Sequence, residues 1–529
     1  MKKFIILFII AVLMLTACGN KDEDSVALVA SQIGEADKMS KKDNKELSLS
    51  MRTASTLNPL LNEEETVDSI LKIMFEPLIG IDSTYKPSPS IAESWYYTEE
   101  GTLLTIKLKD GLKWHDGSSI TADDVIYSLG VIKSSSENSV YKACAENVAS
   151  FGKADDLTVN VKFNNAYVGN VYSMSFPVIP SSYYSSGGEV DFAPMGSGPY
   201  KFESYTAAKE LRLTAADNSF TQKPAIENII VSITTDSDTD IYTFSQRITD
   251  TVIADETMLG KFDFDDGSKK YSYIDNYYDF LGFNFGKEVF NDKNVRKAIA
   301  CTVPVESIIE AVYLSNAAAA PTPLNPDSFL NSNEVEPYQY DLTQARKLLD
   351  DAGYLLKEGS GIREKQLENG MQTLSFSLLV NKENEERCQA AVKIAEELNS
   401  IGFSINVEKV DYETYLSRLE AMDFDMFLGG FELSIVPDFG FMFESGGSLN
   451  YTGYSNEKTD ELINVYRNSI TENEMKENMK NLQMQVGEEL PCIGITFRKA
   501  ALFTDERITG DIVPIQFNAY NGIEKWVIN

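Results

Sequence analysis

The sequence of 529 residues contains one histidine, His115, and no Cys-x-x-Cys pair. A zinc site needs several His or Cys ligands at close spacing, and the sequence offers none. A Ser-His-Asp triad would have to use His115, but no Gly-x-Ser-x-Gly elbow supports it. The Gly-x-x-x-x-Gly-Lys-Ser/Thr phosphate loop is also missing. We therefore interpret His115 as a polar residue in a strand-to-turn connection.

Positive charge is scarce, with 47 Lys and Arg against 80 Asp and Glu, which gives a formal net charge of -33. Such an acidic surface repels nucleic acid and anionic lipid headgroups, so neither is an expected partner. The chain is too long for one compact core, and two or three domains are expected. A glycoside hydrolase that uses two carboxylates is not excluded by the sequence, because so many acidic residues supply carboxylate pairs without any recognisable pattern.

Long hydrophobic runs are missing except at the N-terminus, where Lys2 and Lys3 precede an apolar run from Phe4 to Leu15. The run is shorter than the ~20 residues that a membrane span needs, and it is typical of a secretory signal peptide over residues 1–17. Leu15-Thr16-Ala17-Cys18 resembles the bacterial lipobox, in which the cysteine is diacylated. This resemblance implies lipidation of Cys18; an ordinary signal peptide with an incidental cysteine is the alternative.

Cysteine is also rare, and with Cys18 taken by lipid four isolated residues remain: Cys144, Cys301, Cys388 and Cys492. Four cysteines could form two disulfides in three possible pairings. Cys301 and Cys388 lie in apparent amphipathic helices, and Cys492 follows a proline before an apolar strand. These positions favour buried free thiols.

Residues 18–45 are rich in charged and small polar residues, which predicts a flexible tether after the lipid site. Strand and helix patterns then interleave to the end of the chain. Alternation predicts strands at Leu103–Leu108 and Asp156–Val161, whereas Thr121 caps one predicted helix and Asn384–Asn399 forms another. This mixture predicts an α/β or α+β protein.

One stretch, from Trp114-His115-Asp116-Gly117 to Thr121-Ala122-Asp123-Asp124-Val125, resembles the signature of the family-five extracellular solute-binding proteins. These are the oligopeptide- and dipeptide-binding components of ABC importers. Further stretches match in the same order: Thr56–Leu60, Ile91–Trp95, Gly196–Phe202, Phe290–Asp292, Val295–Ile299, Asn450–Asn456 and Leu490–Pro491. The resemblance covers residues 46–529.

The resemblance implies an α/β fold of the periplasmic-binding-protein type (type II, cluster C), a two-lobed clamshell with an extra inserted domain. Lobe I would be discontinuous, domain II inserted, and lobe III continuous. The implied ranges are 46–86, 188–283 and 500–529 for lobe I, 87–187 for domain II, and 284–499 for lobe III. Pro87 and Pro89 lie at the predicted boundary where lobe I passes into domain II, and Gly187-Gly188 lies at the boundary where domain II returns to lobe I.

The family also implies which residues line the ligand. In this sequence three stretches are implied: the loop Asn62–Thr66, the aromatic crossing Tyr277–Phe280 and the segment Gly429–Asp438. The residues selected from them are Asn62, Glu63, Tyr278, Phe280, Phe431, Glu432 and Ser434. For Tyr278 and Phe280 a place in the lobe core is the alternative, more so for Phe280. Trp114 and Asp116 are expected to serve the fold.

Peptide binders of the family carry an Asp, which pairs with the α-ammonium of the ligand, where this chain has Ser434. A hydroxyl cannot replace a carboxylate as an ion-pair partner, so Glu432 or Asp438 would have to substitute. Alternation along an extended strand gives Glu432 the same side as Ser434, which favours Glu432. The alternative is that Glu432 is a solvated surface charge.

The sequence thus predicts a lipid-anchored substrate-binding component of an ABC importer on the outer face of a bacterial cell membrane. It would capture an oligopeptide or similar solute between closing lobes and deliver it to permease subunits with their ATPase. No covalent chemistry, cofactor, metal or nucleic acid is expected, and the protein would be a monomer. The alternatives are a surface lipoprotein hydrolase of oligosaccharides, a binder of a non-peptide solute, and a sensor of a signal peptide.

Overall fold

The computed structural model describes residues 45–185, 192–217, 220, 222–254, 267–335, 337–368 and 370–529. The expected signal peptide, the Cys18 lipidation site and nearly all of the tether lie outside the described residues, as does the Gly187-Gly188 boundary. Within these ranges no helix combines the length and the apolar character needed to cross a membrane.

Extended segments with alternating side chains form the strands. In chain order they are β1 Glu46–Met51, β2 Ile79–Ile81, β3 Pro87–Pro89, β4 Ala92–Thr98, β5 Leu103–Leu108, β6 Val148–Asp155, β7 Thr158–Phe163, β8 Tyr200–Thr206, β9 Glu210–Ala215, β10 Asn228–Ile233, β11 Thr251–Ala254, β12 Ser268–Phe283, β13 Ala317–Ala319, β14 Leu355–Leu356, β15 Arg363–Leu367, β16 Gly370–Thr373, β17 Ser375–Asn381, β18 Ser404–Val410, β19 Met426–Glu432, β20 Cys492–Asp505, β21 Ile508–Gly510 and β22 Trp526–Ile528.

Helices occupy many of the connections. They are α1 Glu65–Leu71, α2 Ala122–Ser134, α3 Ser181–Tyr184, α4 Ser237–Ser245, α5 Lys293–Ala300, α6 Val305–Ala311, α7 Leu342–Asp351, α8 Glu385–Ser400, α9 Tyr412–Glu420, α10 Gly440–Phe443, α11 Glu457–Arg467 and α12 Glu472–Glu489. Several begin at a side chain that accepts a backbone N–H, as Asp341 does for α7 and Asp411 for α9. Thr121 and Asp124 form a reciprocal capping box at the start of α2.

Two long antiparallel strands, β12 and β20, form the middle of the largest sheet, whose order is β11-β20-β12-β19-β17-β18. At one end β11 pairs with the last residues of β20. At the other end β12 pairs with β19, and β17 joins β19 and β18 in parallel. The long strands therefore connect the part of the fold around β11 with the part around β17, β18 and β19.

The remaining strands form smaller sheets, including β1-β10-β9-β8 and β4-β5-β7-β6. One apolar core packs helices α5 to α8 against β17 and β19, with Ile299, Leu349, Leu378, Ile394 and Met426 at its centre. Cysteines at positions 144, 301, 388 and 492 are all free thiols, the first half-buried and the others buried.

The motif around Trp114 is structural. Trp114 is buried, and its indole N–H lies 3.3 Å from the carboxylate of Asp124. The imidazole of His115 connects this motif to a segment that is distant in sequence: Nδ1 accepts the Gly196 N–H at 3.3 Å, and Nε2 lies 3.0 Å from the Gly198 carbonyl oxygen. Burial lowers the pKa of His115 from its ordinary 6.5 to about 4, so the neutral ring is the form that the fold holds.

This depressed pKa predicts a pH dependence of stability. Because the unfolded chain takes up the proton near pH 6.5 and the folded chain only near pH 4, the contribution of His115 to the free energy of unfolding falls as pH drops through that window. Between pH 7 and pH 4.5 the wild type should therefore lose about 2 kcal/mol relative to a variant without this imidazole. Denaturant unfolding of the wild type and of His115→Gln at pH 7 and pH 4.5 measures it. Equal pH slopes for the two proteins would contradict the prediction, since carboxyls with a raised pKa, such as Glu76 and Asp275, titrate in both proteins and only His115 differs.

Candidate functional site

A cavity of about 400 Å³ lies where β1, α1, β12 and the end of β19 meet. Apolar and aromatic side chains make up much of its wall: Met51, Ile253, Tyr273, Phe517 and Tyr520. A smaller cavity of about 30 Å³ lies against the loop formed by residues 433–438. The rest of the wall of the larger cavity is mainly polar and charged. Of these two cavities only the larger has the room that a ligand site usually needs, so it is the candidate.

The register between β12 and β19 decides which side chains face this cavity. Tyr277 lies opposite Glu432, and Tyr278 lies opposite Phe431. Glu432 lines the larger cavity, and Tyr277 on the same face is 41% exposed. Burial, and then the negative charge of Glu432, raise the pKa of Tyr277 to about 12. Tyr277 and Glu432 are therefore adjacent on one side of the sheet.

The opposite face of the same strands is packed. Tyr278 is 0% exposed and Phe280 is 2% exposed. The Phe280 ring stacks on Phe431 with centroids 5.5 Å apart and on Tyr278 at 5.8 Å. Phe431 is half-buried and meets Phe441 edge to face. The structure thus places these three sequence-predicted residues together in an aromatic cluster, and none of them lines the larger cavity.

The other sequence-predicted residues lie apart from the larger cavity. Asn62 is fully buried, and its Nδ2 donates to the Glu64 carbonyl oxygen at 2.7 Å. Glu63 is exposed and lines neither cavity. Ser434 lines the smaller cavity, where its hydroxyl donates to the Val436 carbonyl oxygen at 2.8 Å.

Glu432 and Asp438 are the two carboxylates that could replace the Asp which peptide binders carry at the position of Ser434. They differ in whether they already have an ion-pair partner. Asp438 accepts two hydrogen bonds from Arg467, at 2.8 Å and 3.1 Å. Its charge is already compensated, because such bidentate pairs are among the strong polar contacts. Among the described residues Glu432 forms no ion pair. Glu432 is therefore the carboxylate that is available to a cationic ligand.

Glu65 lines the larger cavity. It lies in the implied ligand-lining loop Asn62–Thr66, from which Asn62 and Glu63 were predicted instead. Glu64 accepts the Thr66 N–H at 3.3 Å and caps α1, so Glu65 becomes the first helical residue and turns toward the cavity. Burial, followed by the charge of Glu432, raises the pKa of Glu65. The sequence does contain a signal for this helix: Val67, Ile70 and Leu71 have helical spacing, and Glu65 and Asp68 supply the acidic first turn that is typical of a helix start.

A buried carboxylate, Asp275, adds to the negative potential beside this wall. Asp275 accepts the Tyr277 N–H at 2.8 Å, and burial raises its pKa to about 6. The charges of Asp279 and Glu432 act in the same direction, whereas Arg498 opposes them. The site favours cations over anions.

Behind the site, Asp279 holds together several elements. Arg387 contacts its Oδ1 at 2.6 Å, Arg498 contacts Oδ2 at 3.1 Å, and the Tyr313 hydroxyl donates to Oδ2 at 2.8 Å. Burial alone would raise the pKa of Asp279, but the two arginine charges hold it below its ordinary value. Gly430, opposite Asp279 on β19, leaves room for this cluster, since an added Cβ would overlap Arg387 and Asp279.

The sequence is similar to known solute-binding proteins over most of its length. The model of the bacterial extracellular solute-binding proteins, family 5 Middle, matches residues 86–453. The oligopeptide-binding protein AppA of Bacillus subtilis is 25% identical over 494 residues, 89% of each chain. Heme-binding protein A of Haemophilus influenzae is 24% identical over 473 residues, 82% of this chain and 83% of that protein.

Solved structures show the same fold. The ABC transporter substrate-binding protein CtaP from Listeria monocytogenes superposes with a TM-score of 0.75 and 21% identity, over 92% of this chain and 100% of that chain. The predicted fold class, the two-lobed α/β clamshell with an inserted domain, is thereby confirmed.

Gly430→Ala is predicted to destabilise the fold. The added Cβ would lie 2.6 Å from the Tyr278 carbonyl oxygen and would also displace Arg387 from Asp279. The expected loss is about 1–3 kcal/mol, the usual range for overpacking. Gly130→Ala is the matched control, because a Cβ there meets nothing within 4 Å and α2 gains a better helix former. Denaturant unfolding of both variants measures the difference, and equal stabilities would contradict the prediction.

Proposed function

This chain belongs to the bacterial extracellular solute-binding proteins of family 5, and we propose that it captures an oligopeptide for an ABC permease and its ATPase. In this proposal the mature protein is held at the outer face of the cell membrane by lipid on Cys18. It works as a monomer, binds its solute reversibly and leaves the bonds of the solute intact.

One observation carries the proposal of a peptide: Glu432 lies on the cavity wall with no ion-pair partner among the described residues. A peptide begins with an ammonium group, and a charge-assisted hydrogen bond to a carboxylate is about twice as strong as a neutral one. The apolar and aromatic wall can take side chains, which is how such sites accept extended ligands. A peptide N-terminus therefore matches both features of the cavity.

The proposed lobes follow the assignment made from the sequence, with lobe I at 46–86, 188–283 and 500–529, domain II at 87–187 and lobe III at 284–499. Under this assignment β12 ends at the boundary between lobes I and III, and β20 crosses it. Two paired strands at a boundary can act as a hinge for domain closure. Closure would exclude water from the cavity and strengthen the contact with Glu432.

Native mass spectrometry of protein purified from its own host tests the ligand class. We expect bound species with peptide masses, which collision-induced dissociation releases as sequenceable peptides. Heme, a metal complex or an oligosaccharide as the bound species would contradict the proposal. Turnover of an oligosaccharide panel by the purified protein would contradict it as well.

Glu432→Gln is predicted to weaken peptides with a free amino end more than the same peptides with an acetylated end. The variant removes the negative charge that faces the ammonium group, so the expected loss for free-amine peptides is about tenfold or more. Isothermal titration calorimetry of wild type and variant with both peptide forms measures it. Glu413→Gln, on an exposed first turn of α9, is the control. Equal weakening of both peptide forms would remove Glu432 from this role.

A further inference from the structure

The charges on the wall of the larger cavity do not balance. Its ionisable carboxylates and bases are Glu65, Asp68, Asp240, Glu432, Arg52 and Lys72. Arg52 forms an ion pair with Asp240 at 2.6 Å, and Lys72 forms one with Asp68 at 2.7 Å. The two remaining carboxylates, Glu65 and Glu432, form no ion pair within the described ranges. The wall therefore presents two uncompensated negative charges.

These two carboxylates act at close range on the same space. Glu65 begins α1, and Glu432 ends β19. The negative charges of both act on Tyr277, since Glu432 and also Glu65 raise the pKa of its hydroxyl. In the proposed domain assignment Glu65 belongs to lobe I and Glu432 to lobe III, so they approach the ligand from different lobes.

Asn276 on the same wall has an amide donor that a ligand could use. Asn276 is 4% exposed and lines both cavities. Its Oδ1 accepts hydrogen bonds from Tyr85 at 3.3 Å and from Asn325 at 3.1 Å. Among the described residues its Nδ2 has no acceptor, and the side chain borders both cavities, so this donor is open to a ligand. A ligand with a carbonyl oxygen close to its cationic end would supply that acceptor.

We propose that Glu65 sets the specificity of this site, and that the site selects peptides whose first residue carries a second positive charge, lysine or arginine. Glu432 takes the α-ammonium, Glu65 takes the side-chain cation, and Asn276 donates to the first carbonyl oxygen. This inference rests on the proposed function, because it assumes that the solute is a peptide.

Charge balance explains why the site would select a peptide with two cationic groups at its first residue. A peptide with one cationic group would neutralise only one of the two carboxylates and would leave the other facing a cavity from which water is being displaced. An unpaired charge that loses solvent is costly. A peptide with two cationic groups at its first residue compensates both charges at once.

The test compares two tripeptides that differ in one charge, Lys-Ala-Ala and norleucine-Ala-Ala, by isothermal titration calorimetry. Wild type is expected to bind the lysine peptide about tenfold more tightly or better. Glu65→Gln is expected to reduce this preference to about twofold or less, because the variant can no longer pair with the side-chain cation. The control Glu457→Gln, also an exposed first residue of a helix, should keep the wild-type preference.

The norleucine peptide reports whether the variant cavity is intact: Glu65→Gln should bind it at least as tightly as wild type, because the variant no longer leaves an unpaired carboxylate beside the bound peptide. Wild-type protein that binds both peptides equally would overturn the inference while leaving peptide binding in place. A preference for lysine that survives Glu65→Gln would also overturn it. If wild type binds neither peptide and purified protein carries none, the proposed function fails and this inference fails with it.

Discussion

Asp279 is a carboxylate that is 1% exposed, at the point where β12, β19 and β20 run side by side. Arg387 on α8 and Arg498 on β20 both bind it. A buried charge whose partner is removed costs about 3–5 kcal/mol, so the strands and α8 can adopt these positions only together. The geometry of the nearby cavity wall depends on this cluster, because it fixes which face of β12 is polar.

The alternation of side chains along β12 determines which of them lie on the same face as Asp279. Side chains two residues apart on a strand share a face, so Tyr277, which pairs with Glu432, lies on the same side of β12 as Asp279. The same rule sends Tyr278 and Phe280 to the aromatic cluster on the other side. A register shift of one residue would exchange the two sets and bury Glu432 among aromatic rings. The buried ion cluster therefore excludes that register as well as holding the elements together.

Much of the fold could be predicted because local patterns determine it. The strand at Leu103–Leu108, the caps at Thr121 and Asp341, and the helix that Asn384 caps all form as the sequence predicts. The strand predicted from Asp156 begins at Thr158 instead. Asp155 accepts the Leu157 N–H at 2.9 Å, so the hairpin turn takes the first two predicted residues. Alternation of side chains does not show where a turn ends.

The site was less predictable, because its chemistry depends on which charges already have partners. The sequence does not show whether Glu432 or Asp438 already has an ion-pair partner, which depends on the position of Arg467, 29 residues after Asp438. Likewise Glu63 and Glu65 lie in one acidic run, yet the start of α1 brings only Glu65 to the wall. Strand parity could select Glu432 because it is a local rule. Compensation of charge is a tertiary property, so a carboxylate that is free to bind a ligand can be recognised only when every base around it has been assigned.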